Sequence, residues 1–194
     1  MNKGERTKRF IIEQSSSLFN KQGYQITSIT DIMNATKLKK GGIYNHFENK
    51  ETLARNSFTY ICNVLMEKYN ETISNKQSAS EKYNAVFNVF IALCENEIVE
   101  GGCPLMNAAI EADDSKLYFE DTVMDNFNNL INLIKSIIEI GKKQNEIKKD
   151  LDPEHMAIFI LSSLEGSLAL SRLFKDKIYL QLVDKQIKEI LFLK

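Results

Sequence analysis

Apolar residues along this chain recur at intervals of three and four and almost nowhere alternate with period two. That spacing predicts helices throughout and no sheet. The first helix is expected from about Glu5 to Gln22, with Phe10, Ile11, Leu18 and Phe19 on its inward stripe. It should stop at Gly23, which takes a left-handed conformation cheaply, with Tyr24 packing back on the last turn. Ser28-Ile29-Thr30-Asp31 reads as the start of a second helix. The Ser28 hydroxyl serves as cap, and Asp31 is the weaker form of a reciprocal capping box. This helix ends near Thr36, and a turn through Lys37 and Leu38 leads to a third, from about Lys40 to Phe47. Asn49 then caps a long fourth helix that reaches about Ile73.

The polar segment "SNKQSAS" (74–80) separates this from a fifth helix, about Ser80 to Ile98. "EGGC" breaks the chain, and Pro104 suits the first position of the next helix, which makes Cys103 its N-cap. Val123, Phe127, Leu130, Ile131, Ile134, Ile137 and Ile138 form a sustained inward stripe further on. Asp152-Pro153-Glu154 opens an eighth helix by the same cap-then-proline logic. Its sequence, "MAIFILSSLEGSLALSRLF", is apolar on nearly every face. A helix of that kind is expected to be covered on one side by its own core and on the other by a partner chain. Glu165 lies inside this apolar stretch and needs a partner, either across a dimer or on a cationic ligand. The last helix, about Ile178 to Leu193, carries Tyr179, Leu182, Val183, Ile187, Ile190 and Leu191.

Composition narrows the class. The 194 residues are 43% apolar and 26% charged, as in an ordinary soluble globular protein. No apolar run reaches 18 residues, so no membrane-spanning helix is expected. The charged start "MNKGERTKRF" does not resemble a secretion signal. Three cysteines, Cys62, Cys94 and Cys103, with only two histidines, offer no metal-type spacing. A reduced cytoplasmic setting is expected, without metal or cofactor. The net charge of −1 conceals an asymmetry, because residues 1–60 hold seven Lys and three Arg against five acids. A basic N-terminal quarter on an acidic body points to a polyanion at one end only.

The chemistry concentrates in "KLKKGGIYNHFENKE", residues 37–51. Two short helices joined by a tight turn in a basic segment suggest a helix-turn-helix, whose second helix enters the major groove of a duplex. Gly41 and Gly42 let the backbone approach closely, at a helix-propensity cost of roughly 1 kcal/mol each. Lys37, Lys39 and Lys40 supply counter-charge for phosphate. Taken singly, each feature also has a plain structural reading: Tyr44 packed on the first helix, His46 capping a helix end, the lysines a solvated face.

Together, "TSITDIMNATKLKKGGIYNHFENKETL" resembles the DNA-binding signature of the TetR family of bacterial and archaeal regulators. Ser28, Asp31, Ile32, Lys40, Gly41, Ile43, Tyr44, His46, Phe47, Lys50 and Glu51 fall in register with it. The resemblance implies an all-helical chain of about nine helices. Residues 1–48 would be the helix-turn-helix domain and 49–194 the effector-binding and dimerisation domain, linked by the helix at about 49–73. It implies phosphate contacts from Thr27, Ser28, Tyr44, His46 and Lys50, and a core of Ile32, Ile43 and Phe47. Lys40, Gly41, Gly42 and Asn45 would face the groove floor. It implies a homodimer on a palindromic DNA operator, formed by the eighth and ninth helices through Ser163, Gly166, Ser167, Leu170, Tyr179, Val183 and Ile187. A small-molecule inducer would lie among Met66, Tyr69, Phe90, Cys94, Met106, Asn107, Ile110 and Phe127, all of which also read as plain core, together with Cys103 and Glu165. Gly102-Cys103-Pro104-Leu105-Met106-Asn107 is similar to a segment of a subset of this family, some of whose members respond to electrophiles or oxidants. Cys103 is therefore either a sensor thiol or a buried turn residue. The chain departs from the family at the turn, where Lys37 replaces a glycine and Lys39 replaces a good N-cap. Each change should cost about 1 kcal/mol of local stability.

Two other classes stay open on the residues alone. A cysteine-dependent detoxifying enzyme would use Cys103, but no base, paired acids or phosphate loop accompanies it. A helical interaction protein would use the basic head on some other polyanion.

Overall fold

Asn2 starts the first helix two residues earlier than expected. Its side chain accepts from the Glu5 amide while the Glu5 carboxylate accepts from its own, a closed capping box ahead of α1 (Lys3–Gln22). The computed structural model describes residues 2–114 and 119–193, with residues 113 and 114 described by backbone alone. Ser28 and Asp31 close a second box before α2 (Ile29–Thr36). α3 (Lys40–Tyr44) is a short helix of five residues. The Asn49 side chain then accepts from the Thr52 amide at 2.7 Å and begins α4 (Lys50–Ser74). A third box, Ser78 with Glu81, opens α5 (Ala79–Cys94), which ends four residues short of the expected Ile98. α6 (Pro104–Asp114) begins on its proline, α7 (Glu120–Lys143) carries the predicted stripe, and Asp152 caps α8 (Pro153–Phe174) ahead of α9 (Ile178–Leu191). These nine helices among the described residues, with a single isolated bridge between Ile147 and Phe192, make the fold all-α. It consists of an N-terminal helix-turn-helix and a C-terminal helical domain.

By packing, the chain divides into two compact units, residues 1–64 with 99–124, and residues 65–98 with 125–194. The first unit thus takes in α6 as well as the N-terminal helices. Its centre is aromatic. Phe19 stacks on Tyr24 at 5.2 Å, and Phe119 meets both Tyr24 and Phe58 at 5.1 Å. Ile11, Ile32, Ile43, Phe47 and Leu53 complete that core, as expected for Ile32, Ile43 and Phe47. Phe10 is a correction, since its side chain is exposed and Ile11 alone takes the inward position. Successive helix residues point about 100° apart, which turns Phe10 off the stripe that Ile11 occupies.

The second unit packs α8 against α5 and α9. Among the described residues, α8 is the one helix long and apolar enough by composition to cross a membrane, yet 44% of its most apolar window is buried among its neighbours. At the far end of α7, Gly141 allows a close approach. A Cβ there would sit 2.6 Å from Ile147 Cδ1 and 2.7 Å from Ala79 Cβ. Gly141→Ala should therefore destabilise the protein by about 1–3 kcal/mol, although alanine is the better helix former. A lower urea midpoint is the expected readout, and an unchanged or higher midpoint would show that the contact yields.

Candidate nucleic-acid interface

The turn between α2 and α3 is made from strained parts. Lys37 closes α2 in the left-handed region, with φ 59°, the position where the sequence predicts the cost of a missing glycine. Lys39 occupies the N-cap of α3 and makes no side-chain capping bond. Thr36 compensates in part, because its hydroxyl donates to the Ile32 carbonyl at 2.7 Å and accepts from the Leu38 amide at 3.3 Å.

Around that turn the expected residues share one unit but differ in availability. Lys37, Lys39, Lys40, Gly41, Tyr44 and Asn45 are exposed, and Gly42 and His46 are half-buried. A Cβ on Gly41 would meet no atom within 4 Å, and one on Gly42 would touch only the Leu38 side chain, at 3.6 Å. The Lys40 ammonium lies 5.7 Å from the centroid of the Tyr44 ring. Ser28 is exposed, and its hydroxyl donates to Asp31 at 2.6 Å; that bond, with the one from the Ser28 amide, holds the Asp31 carboxyl below the usual carboxylate range. Thr27 is a correction. It is fully buried, and its hydroxyl donates to the Gly23 carbonyl at 2.6 Å, so its side chain is committed within the chain. Lys50 is half-buried, its Nζ donates to the Gln25 carbonyl at 2.7 Å, and burial pulls its pKa down.

The start of α1 adjoins this surface, a neighbour that the sequence alone does not reveal. A Cβ on Gly4 would lie 3.9 Å from His46 Cε1, and Lys8 Nζ lies 5.6 Å from the Phe47 ring centroid. Lys3, Arg6 and Lys8 are all exposed there. Their basic clustering is visible in the sequence, but only the fold brings it beside α3.

The expected effector residues fall in both units. In the first, Cys103 is 4% exposed, and the Asn107 side chain is bonded to Asn20 and Gly101. Met106 is half-buried, and Ile110 is 60% exposed, which makes it a surface residue and corrects its assignment to a pocket lining. In the second, Tyr69 and Phe90 are fully buried with rings 6.3 Å apart, and Met66 and Phe127 are half-buried. Glu165 is 1% exposed. Cys94 lines an open cavity of about 410 Å³ with Arg172, Lys175 and Lys177, and burial pushes its thiol pKa up. No group of three His, Cys, Asp or Glu side chains able to hold a metal occurs among the described residues.

On α8 and α9 the expected dimer residues divide. Gly166 and Leu170 are exposed, while Ser163, Tyr179 and Val183 are half-buried. Ser167 and Ile187 are buried within their own unit, so they are core and not contact residues, a further correction. Besides Leu170, the large apolar side chains exposed on α8 and α9 are Ile158, Phe159, Leu173, Phe174, Ile178 and Leu182.

Comparison with known proteins matches both parts of the chain. Residues 11–56 fit the family described as "Bacterial regulatory proteins, tetR family", and residues 79–187 that described as "Tetracyclin repressor-like, C-terminal domain". The chain is 22% identical over 171 residues to the HTH-type transcriptional repressor DhaR of Mycobacterium sp. (strain GP1), covering 88% of this chain and 84% of that protein. Among solved structures, a TetR transcriptional regulator from Chloroflexus aurantiacus J-10-FL superposes with TM-score 0.93 at 31% identity over all of both chains. A TetR-family regulator from Cytophaga hutchinsonii does so with TM-score 0.88 at 28% identity, over 100% of this chain and 98% of that one.

Proposed function

From the premise that this chain belongs to the TetR family of bacterial regulatory proteins and is a transcriptional regulator, we propose that it is a cytoplasmic repressor that grips a palindromic operator as a homodimer and releases it when a small molecule binds the body. The observation that carries this reading is Gly41. Its φ is not positive and no neighbouring atom crowds it, so nothing inside the chain requires a glycine there. A residue that weakens its helix without internal need makes room for something outside. The exposed lysines at 37, 39 and 40 give that outside body a negative charge. A duplex meets both conditions, with Asn45, Lys40 and the glycine pair toward the groove and Ser28, Tyr44, His46, Lys37 and Lys39 toward phosphates.

Two-fold pairing through the apolar α8–α9 face would present two such heads to half-sites one or more helical turns apart, roughly 34 Å per turn. For the trigger, the burial of Cys103 favours a bound small molecule over thiol modification. An apolar effector would enter beside half-buried Met66 and Phe127 and act by preferring one conformation of the body.

Binding to DNA from upstream of the protein's own operon, titrated with salt, tests the reading. Affinity should fall steeply as salt rises, and Lys39→Ser should reduce the slope of log K against log salt by about one. Absence of duplex binding at low salt, or an unaltered slope in the variant, would count against it.

A further inference from the structure

The turn that enters the helix-turn-helix is held from outside it. Between α1 and α2 the chain passes through Gly23, Tyr24 and Gln25, and the carboxylate of Glu111 on α6 sits over this turn. Both of its oxygens accept from the Tyr24 amide, each at 2.9 Å, and one accepts from the Gln25 amide at 3.1 Å. Gly23 is shaped to admit it. With φ 97° the position suits glycine, and a Cβ there would lie 2.9 Å from a Glu111 oxygen. One turn back on α6, Asn107 donates to the Asn20 carbonyl at 3.1 Å and to its side-chain oxygen at 3.0 Å. Asn20 in turn donates to the Glu100 carbonyl at 2.6 Å. The Gln25 carbonyl takes the Lys50 ammonium, so α6, the turn and the start of α4 form one chain of bonds.

We propose that Glu111 is a positioning residue of the DNA-reading head. Its carboxylate fixes the two turn amides and thereby the direction in which α2 and α3 leave α1, which sets how Gly41 and the lysines meet the duplex. This rests on the regulator reading and extends it to a helix outside the recognition motif. Two amides on one carboxylate make charge-assisted bonds, stronger than neutral ones and more restrictive of direction. Ordinary packing of α6 would hold the turn in place without fixing its amides.

The test uses the full chain with Glu111→Ala and Glu111→Gln, reading operator affinity against salt, amide hydrogen exchange at Tyr24 and Gln25, and helical circular dichroism. In Glu111→Ala the two amides should exchange faster while helicity holds. Operator affinity should fall on the order of tenfold at every salt concentration, with the salt slope unchanged, since no phosphate contact is removed. Glu111→Gln keeps one acceptor and should recover part of both effects; it carries the test if the alanine variant loses helicity. The inference is overturned if the amides stay protected, if they exchange faster while affinity stays at the wild-type value, or if glutamine rescues nothing. Failure of the wild-type chain to bind any duplex would sink the regulator reading and this inference with it. Wild-type binding matched by Glu111→Ala sinks this inference alone.

Discussion

Gly41→Leu should weaken operator binding by about two orders of magnitude while leaving the protein at least as stable as before. The two effects have separate causes. Within the chain the position is open, with no atom within 4 Å of where a Cβ would stand and no positive φ, so a side chain meets no clash and no backbone strain. Leucine is also the better helix former, which should add several tenths of a kcal/mol or leave stability level so near a helix start. On the DNA side a branched side chain would hold α3 away from the groove floor and loosen each phosphate contact around it. A loss of roughly a hundredfold in affinity, equivalent to about 3 kcal/mol, is the expected scale. Gly41→Ala should lie between the two, with a small gain in thermal midpoint and a smaller loss of affinity. Binding by Gly41→Leu at the wild-type level would mean that the face is not pressed against a duplex.

What a chain of letters discloses depends on how local the cause is. Caps are local, so Ser28, Asn49 and Asp152-Pro153 announced three helix starts within a residue of where they stand. The penalty positions at Lys37 and Lys39 were legible for the same reason, since left-handed geometry and a missing cap depend on one residue and its neighbours. Thr27 misled because the residue type suits a phosphate contact, and only the fold reveals that its hydroxyl turns back to Gly23. Glu111 could not be found at all. It meets Tyr24 across 87 residues of sequence, and nothing about a glutamate on a helix says which distant turn it will reach. On α8 the difficulty was of another kind. A helix apolar all round has no phase, so the pattern could not say that Ser167 faces the core and Leu173 the outside.

That outside face supports the second large effect, on assembly. Leu173 is 73% exposed, and Phe159, Leu170, Phe174, Ile178 and Leu182 are also exposed on α8 and α9. Neighbouring large apolar side chains left in water are costly, and burying one is worth about 1.5–3 kcal/mol. In a two-fold dimer the same patch serves both partners, so any substitution acts twice. Leu173→Glu would place two like charges into one apolar contact, at a cost in desolvation and repulsion. The variant should therefore sediment as a monomer at concentrations where the wild type sediments at twice the chain mass. Its helicity should hold, because Leu173 supports little of its own core. Operator affinity should fall by about two orders of magnitude or more, since each head would bind its half-site without the tether to the other. A half-site duplex isolates the cause: the variant and the wild type should bind it alike if only pairing is lost. Should Leu173→Glu remain dimeric, the α8–α9 face is not where the copies meet. Should it become monomeric yet hold the full operator as tightly as before, the two heads do not act together.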